Sequence, residues 1–170
     1  MELQELLSYV VALNKDAKVV GKTRLQKMIF LLDQCGLGSS AKYSYHYYGP
    51  YSAEIAEAAE DASLFGALEF DEKPGFYNIP YGTYEVTDKN LHIPPIIGSL
   101  EIHTLQEKLT IMSEYSAIEL ELAATIQYLR KQGSFNAVEE VKQLKPAKAT
   151  DSRMARARKL LLEMEIPPTI

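Results

Sequence analysis

The sequence predicts an α+β fold that is mainly α, with a winged-helix-like N-terminal half carrying a small β-hairpin and a helical C-terminal half packed on it. Three observations predict it. Apolar residues recur at helical spacing over most of the chain. Two short stretches, 43–48 and 67–86, are instead dense in β-favouring aromatics and bounded by glycine and proline. The order helix, helix, helix, hairpin in residues 1–94 is that of a winged helix. Pro94-Pro95 can continue neither a strand ladder nor a helix and divides 1–94 from 95–170. At 170 residues the two parts are expected to form one domain with a real core.

Residues 2–13 place Leu3, Leu6, Leu7, Val10 and Val11 on one helical face, and Lys15-Asp16 reads as a turn. The second helix is expected to open in a capping box, Thr23 with Gln26, and to stop at Gly36. Leu25, Met28, Ile29 and Leu32 form its inward face, with Arg24, Lys27 and Gln34 on the opposite side. Tyr43 to Tyr48 reads as a short strand ended by Gly49-Pro50. Ser52 is the expected N-cap of a third helix with Glu54 near its positive end. Ile55, Ala58, Ala59, Ala62 and Phe65 face inward, and Gly66 closes that helix. Ala67 to Phe70 reads as a strand and 71–75 as a loop. Tyr77, Ile79, Tyr81, Tyr84 and Val86 suggest two further short strands around Pro80-Tyr81-Gly82.

Beyond Pro95 the pattern is helical. Ile102, Leu105, Leu109 and Met112 make one stripe. Ser116 with Glu119 is a capping box opening a helix with Ile118, Leu122, Ile126 and Leu129 inside and Gly133 as its stop. Asn136 to Leu144 reads as a short helix ended by Pro146. Asp151 to Glu163 is the last helix, with Met154, Ala157, Leu161 and Met164 inward, and Pro167-Pro168 marks a frayed tail.

Composition narrows the function classes. The net charge of −5 argues against holding nucleic acid by bulk attraction. No apolar run approaches the ~20 residues that cross a bilayer, so no membrane partner is expected. The start, Met-Glu-Leu-Gln-Glu, is acidic where a secretory signal is basic, so the expected location is the cytoplasm. Cys35, alone in an apolar helical run, is expected to be a buried, inert thiol. Gly21-Lys22-Thr23 resembles the end of a phosphate-binding loop, but Asp16 stands where that loop needs its other glycine. His46, His92 and His103 have no ligand spacing to one another or to cysteine. No metal, cofactor or catalytic residue is therefore expected, and no enzyme.

Two surfaces stand out. The last helix carries Arg153, Arg156, Arg158 and Lys159, preceded by Lys142, Lys145 and Lys148. These suit a nucleic-acid or acidic-partner face. The preferred reading is a solvated face that balances the acidic third helix, within the fold or across a homodimer. The third helix, with Glu54, Glu57, Glu60 and Asp61 and no cation, is a poor reader of a polyanion. The tyrosines at 43, 45, 47, 48 and 51 supply apolar area with polar tips, as in interface hot spots. Most are expected to pack internally, leaving Tyr48 and Tyr51 exposed.

Four segments carry a family resemblance. Lys22-Thr23-Arg24-Leu25-Gln26-Lys27, Tyr48-Gly49-Pro50-Tyr51-Ser52, the run from Glu119 to Ile126, and Leu144-Lys145-Pro146 resemble the YwgA-like group of small bacterial and archaeal proteins. That group is similar to the Panacea, or SocA-type antitoxin, domain. The resemblance spans about Met1 to Met164. It implies a mainly helical domain with a small β element. For Panacea domains it implies a protein-binding module that neutralises a toxin, and for one SocA-type antitoxin a proteolysis adaptor. The chain departs from the SocA pattern in having no tryptophan and in reading Gly-Pro-Tyr where a smaller residue commonly follows the proline.

The expected function is thus a non-enzymatic, antitoxin-like or phage- and defence-associated interaction module. Its partner would be a toxin or another neighbouring gene product, met through Arg24, Lys27, Tyr48, Gly49, Pro50 and Tyr51. The alternative is a winged-helix DNA-binding regulator using Arg153, Arg156, Arg158 and Lys159.

Overall fold

In the computed structural model, which describes residues 1–168, seven α-helices are joined by short strands. The chain begins with α1 (Leu3–Leu13), β1 (Lys18–Val20) and α2 (Lys22–Gln34). A tight hairpin, β2 (Ser44–His46) and β3 (Gly49–Tyr51), feeds α3 (Ala53–Leu64). Then come β4 (Leu68–Pro74), β5 (Pro80–Val86) and the two-residue strands β6 (Ile96–Ile97) and β7 (Leu100–Glu101). The remainder is α4 (Ile102–Ser113), α5 (Ala117–Lys131), α6 (Ala137–Leu144) and α7 (Asp151–Glu163). The class is α+β, mainly α, as the sequence predicts.

Two helices lie at the centre. All eight residues from Leu25 to Leu32 of α2 are buried, and so are all eight from Leu120 to Gln127 of α5. A helix buried all round has no solvent side. This corrects the expectation for α2: Lys27 is only 1% exposed, although it lies off the apolar stripe. Ala123 and Ala124 keep α5 slim where its neighbours α2, α6, α7 and β3 pack against it.

The larger sheet is antiparallel in the order β1-β5-β4, with Val19 opposite Tyr84 and Leu68 opposite Val86. β1 has three residues and no sequence signal of its own; it exists because β5 offers an edge. The expected loop at 71–75 is mostly strand, since β4 runs on to Pro74 opposite Pro80. Residues 80–86 form one strand rather than parts of two, and the break falls earlier, in a 3-10 turn at Phe76–Asn78. Phe65, expected inside, caps the end of α3 and is mostly exposed.

Helix ends are largely as read. Ser52 accepts from the Ile55 N–H at α3, and the Ser116/Glu119 box at α5 is complete. The Thr23/Gln26 box does not form. Gly21 is the N-cap of α2 and supplies no side chain, Thr23 lies inside the helix, and Gln26 is used elsewhere. Burial alone would push the Glu119 carboxyl up, but the Ser116 N–H and the Arg156 guanidinium outweigh it and hold the group below its ordinary value. Ser116→Ala is expected to lower stability by about 1 kcal/mol. The check is a reduced urea midpoint with an unchanged slope.

Candidate functional site: a clamped aromatic turn

The segment 47–52 is gripped from two sides by side chains that reach its backbone. From α2, the Gln26 amide donates to Ser52 O at 2.8 Å and accepts from Ser52 N at 3.0 Å. It thereby does the work of a missing β partner. The next residue, Lys27, donates its ammonium to Pro50 O at 2.6 Å. From the far end of the chain, Lys145 donates to Tyr47 O at 2.8 Å. Three carbonyls that no strand ladder reaches are satisfied in this way.

Glu121 of α5 organises the second grip. Its side chain is 4% exposed and accepts from Lys145 at 2.8 Å and from Lys148 at 2.9 Å. The turn also touches α5 directly. Gly49 has φ of +88°, and a Cβ there would sit 2.5 Å from Thr125 Oγ1, so only glycine fits without movement. Thr125 turns its hydroxyl back to Glu121 O at 2.7 Å. Two of the segments that carry the family resemblance, in α2 and the turn, therefore meet the third, in α5, and the fourth, at Lys145.

Above this clamp the aromatic rings divide. Tyr43 is inward, edge-on to Phe30 at 4.9 Å, with its hydroxyl donating to Asp33. Tyr45 is tilted against Tyr128. Tyr47 and Tyr48 are exposed, 77% and 49%, and meet edge to face at 5.0 Å. The Lys148 ammonium lies 5.9 Å from the Tyr47 ring and 4.6 Å from the Tyr48 ring. Tyr51 is half-buried beside His46, with ring centroids 4.8 Å apart. The two most exposed rings are thus Tyr47 and Tyr48, with Tyr45 40% exposed beside Tyr128, rather than the expected Tyr48 and Tyr51. A two-residue turn rotates the ring at 47 out of the alternation that governs a longer strand.

Other expected site residues have structural partners. Arg24 donates to Tyr115 O and Met112 O, each at 3.0 Å, and so caps the last carbonyls of α4; burial draws its guanidinium below the ordinary value. Gly49 and Pro50 are buried. On α7, Arg156 pairs with Glu119 at 3.2 Å and lies over the Tyr115 ring, Lys159 pairs with Glu163, and Arg153 donates to Lys148 O. Arg153, Arg156 and Lys159 thus spend their charge on a neighbouring carbonyl, on α5 and on α7 itself, while Arg158 is exposed and makes no ion pair among the described residues. The helix packs against α5 and α4, and the acidic α3 packs against α1 instead. Cys35 is half-buried, and burial pushes its thiol up to about 11, which suits the inert role expected.

Sequence reasoning put Lys145 and Lys148 on a basic face and Glu121 only in a family segment, and missed that the three meet. Glu121 carried a usable signal: it stands in an otherwise apolar stretch of α5, where a carboxylate requires buried cations. Among the described residues no helix is long and apolar enough to cross a membrane.

Against known proteins, the chain is 26% identical over 128 residues to the uncharacterized protein YwgA of Bacillus subtilis (strain 168), covering 74% of this chain and 75% of that one. This supports a YwgA-like relationship. No protein-family model matches the chain, and neither does any solved structure.

Removing the clamp's carboxylate strands buried cations. Glu121→Gln is expected to cost about 3–5 kcal/mol, and Glu121→Leu with Lys145→Met to cost less than the sum of the two single changes, in denaturant titrations. Lys27 gives a separate pH signature. Burial first, then Lys145 and Lys148, pull its ammonium down to about 8 against the opposing Glu121 charge. Between that value and its ordinary 10.5 the unfolded chain binds the additional proton, so this group makes stability rise as pH rises through the window. Lys27→Met should remove that rise, read as the difference between the two stability profiles from pH 7 to 11.

Proposed function

We propose that the chain is a non-enzymatic protein-interaction module whose contact surface is the Tyr47-Tyr48 pair with Lys148. One observation carries this reading. Two exposed tyrosines and a lysine are held in fixed geometry by a buried network that spans the chain from residue 26 to residue 148. Exposed aromatic area normally loses side-chain freedom on binding; here the turn backbone is already fixed and the rings are already in contact, so less remains to be ordered. Tyrosine beside a cation is also the composition of an interface hot spot. In this proposal Lys27, Gly49 and Pro50 hold the turn, Tyr51 flanks the contact, and Arg24 ties α2 to the end of α4. An antitoxin-like role, in which the module masks a neighbouring gene product, is the form suggested by the family resemblance.

A second exposed apolar surface, Phe76, Tyr77 and Ile79 at the β4–β5 tip, has no cation or buried polar support to select a partner. The DNA-binding alternative draws support from topology, since β1 joins the β4–β5 hairpin as a winged helix requires. Its charge logic is poor. Glu54, Glu57 and Glu60 are exposed on α3, and the hairpin tip carries no cation. A duplex would meet carboxylates where it needs counter-charge.

The test uses the tagged full-length chain in its native host. It should retain one specific protein, reconstituted from the two purified components, with affinity reduced about tenfold or more by Tyr47→Ala or Tyr48→Ala at unchanged melting temperature. Retention of affinity by the double variant would sink the proposed surface. Duplex binding that weakens steeply with salt would favour the regulator instead.

A further inference from the structure

Two surfaces far from the aromatic turn have opposite charge, and both end in exposed apolar side chains. On α3, Glu57, Glu60 and Leu64 stand at i, i+3 and i+7, all exposed on the side away from the core. Phe65 extends that side past the helix end and is exposed as well. The helix carries no lysine or arginine, and among the described residues none of its carboxylates makes an ion pair. The stripe is acid followed by apolar, with nothing to neutralise it.

The complementary composition occurs at the end of α5. There Arg130 lines an open cavity of about 570 Å³ with Phe135 and Pro168, and the Phe135 ring is wholly exposed. On α7, Arg158 is followed one turn later by Leu162, again exposed. Burial first, and then the charge of Arg158, draw the Arg130 guanidinium below its ordinary value. Neither arginine makes an ion pair among the described residues. Two neighbouring guanidiniums without a counter-ion are relieved by a carboxylate placed against them. Of the basic face expected on α7, Arg158 is the member left for such a contact. The two surfaces do not meet within one chain, since α3 packs on α1 and β4, and α7 on α5 and α4.

We propose that a second copy of this chain joins them: the Glu57, Glu60 and Leu64 side of α3 in one copy docks on Arg130, Arg158 and Phe135 of the other. This contact is separate from the Tyr47-Tyr48 surface and does not rest on it. The carboxylates meet the arginines, and Leu64 and Phe65 meet Phe135 and Leu162. A phenylalanine buries on the order of 150–250 Å². Two copies related by a twofold axis make the contact twice. Their apolar side chains then bring the total to roughly 1,200 Å², where specific interfaces begin.

The test is sedimentation of the purified intact chain. At about 0.05 M salt it should run as an assembly of at least two chains, and at about 1 M salt the association should weaken tenfold or more. Arg130→Glu with Arg158→Glu should leave a monomer of unchanged melting temperature, and so should Glu57→Lys with Glu60→Lys. Mixed in equal amounts, the two reversed variants should assemble again, because each altered patch then faces its opposite. A folding defect would not be rescued in this way. If the double arginine variant does not fold, Arg158→Glu alone takes its place, at an exposed site. A monomer at low salt, assembly that survives either reversal, or reversed variants that stay monomeric when mixed would each overturn the proposal. A monomer that binds poly-glutamate through Arg130 and Arg158 would assign the patch to a different acidic protein and overturn the self-contact equally.

Discussion

The arrangement of this protein turns on one buried carboxylate. Glu121 sits in the buried stretch of α5, 4% exposed, where an unpaired charge is prohibitive. It is tolerable because Lys145 and Lys148 arrive from the loop after α6, and their arrival brings the last third of the chain onto the first. Lys145 continues to Tyr47 O, so the same ammonium that neutralises α5 also fixes the hairpin. Lys27 completes the ring from α2 through Pro50 O. Such an ionic centre adds little to stability relative to a well-packed apolar one. What it does is specify register: α2, α5, the hairpin and the post-α6 loop have one mutual position in which Glu121 meets Lys145 and Lys148 while Lys27 and Lys145 reach the hairpin carbonyls.

That centre also explains why the surface is quieter than the charge pattern suggests. Of the lysines that look like a basic approach to α7, Lys145 and Lys148 are turned inward to Glu121 and Lys142 pairs with Glu139 and Asp151, and Arg156 is committed to Glu119 and the Glu114 carbonyl. Among the described residues, Glu54, Glu57, Glu60 and Asp61 of α3 make no ion pair. The charges are therefore separated between surfaces, and the cations that remain near the aromatic turn do so because one carboxylate holds them there. Lys148 is half in each role, paired with Glu121 below and lying against Tyr47 and Tyr48 above.

The helices were legible because each obeys local rules. The Ser116/Glu119 box, the Ser52 cap, and the 3.6-residue periodicity of Leu25, Met28, Ile29 and Leu32 all depend on neighbours within a turn. The same rules failed where the partner is distant. Gln26 has the spacing of a capping residue but bonds to Ser52 instead, because Ser52's backbone is buried and has no strand to pair with. β1 is unreadable from three residues, since a strand of that length is created by the edge it joins.

The sequence by itself determined the class of fold, the extent of the seven helices and the position of the Gly49-Pro50 turn, because propensity, capping and glycine's access to positive φ are properties of short stretches. Only the tertiary structure decided what the polar residues on those elements are for. Lys27 reads as solvent-facing on a helical wheel and is buried, because α2 is enclosed on every side. Tyr47 reads as one of an inward set and is the most exposed of its cluster. Burial of a charge or a ring depends on which other helices close over it, and those helices lie up to about a hundred residues away in the chain, as Lys145 does from Tyr47.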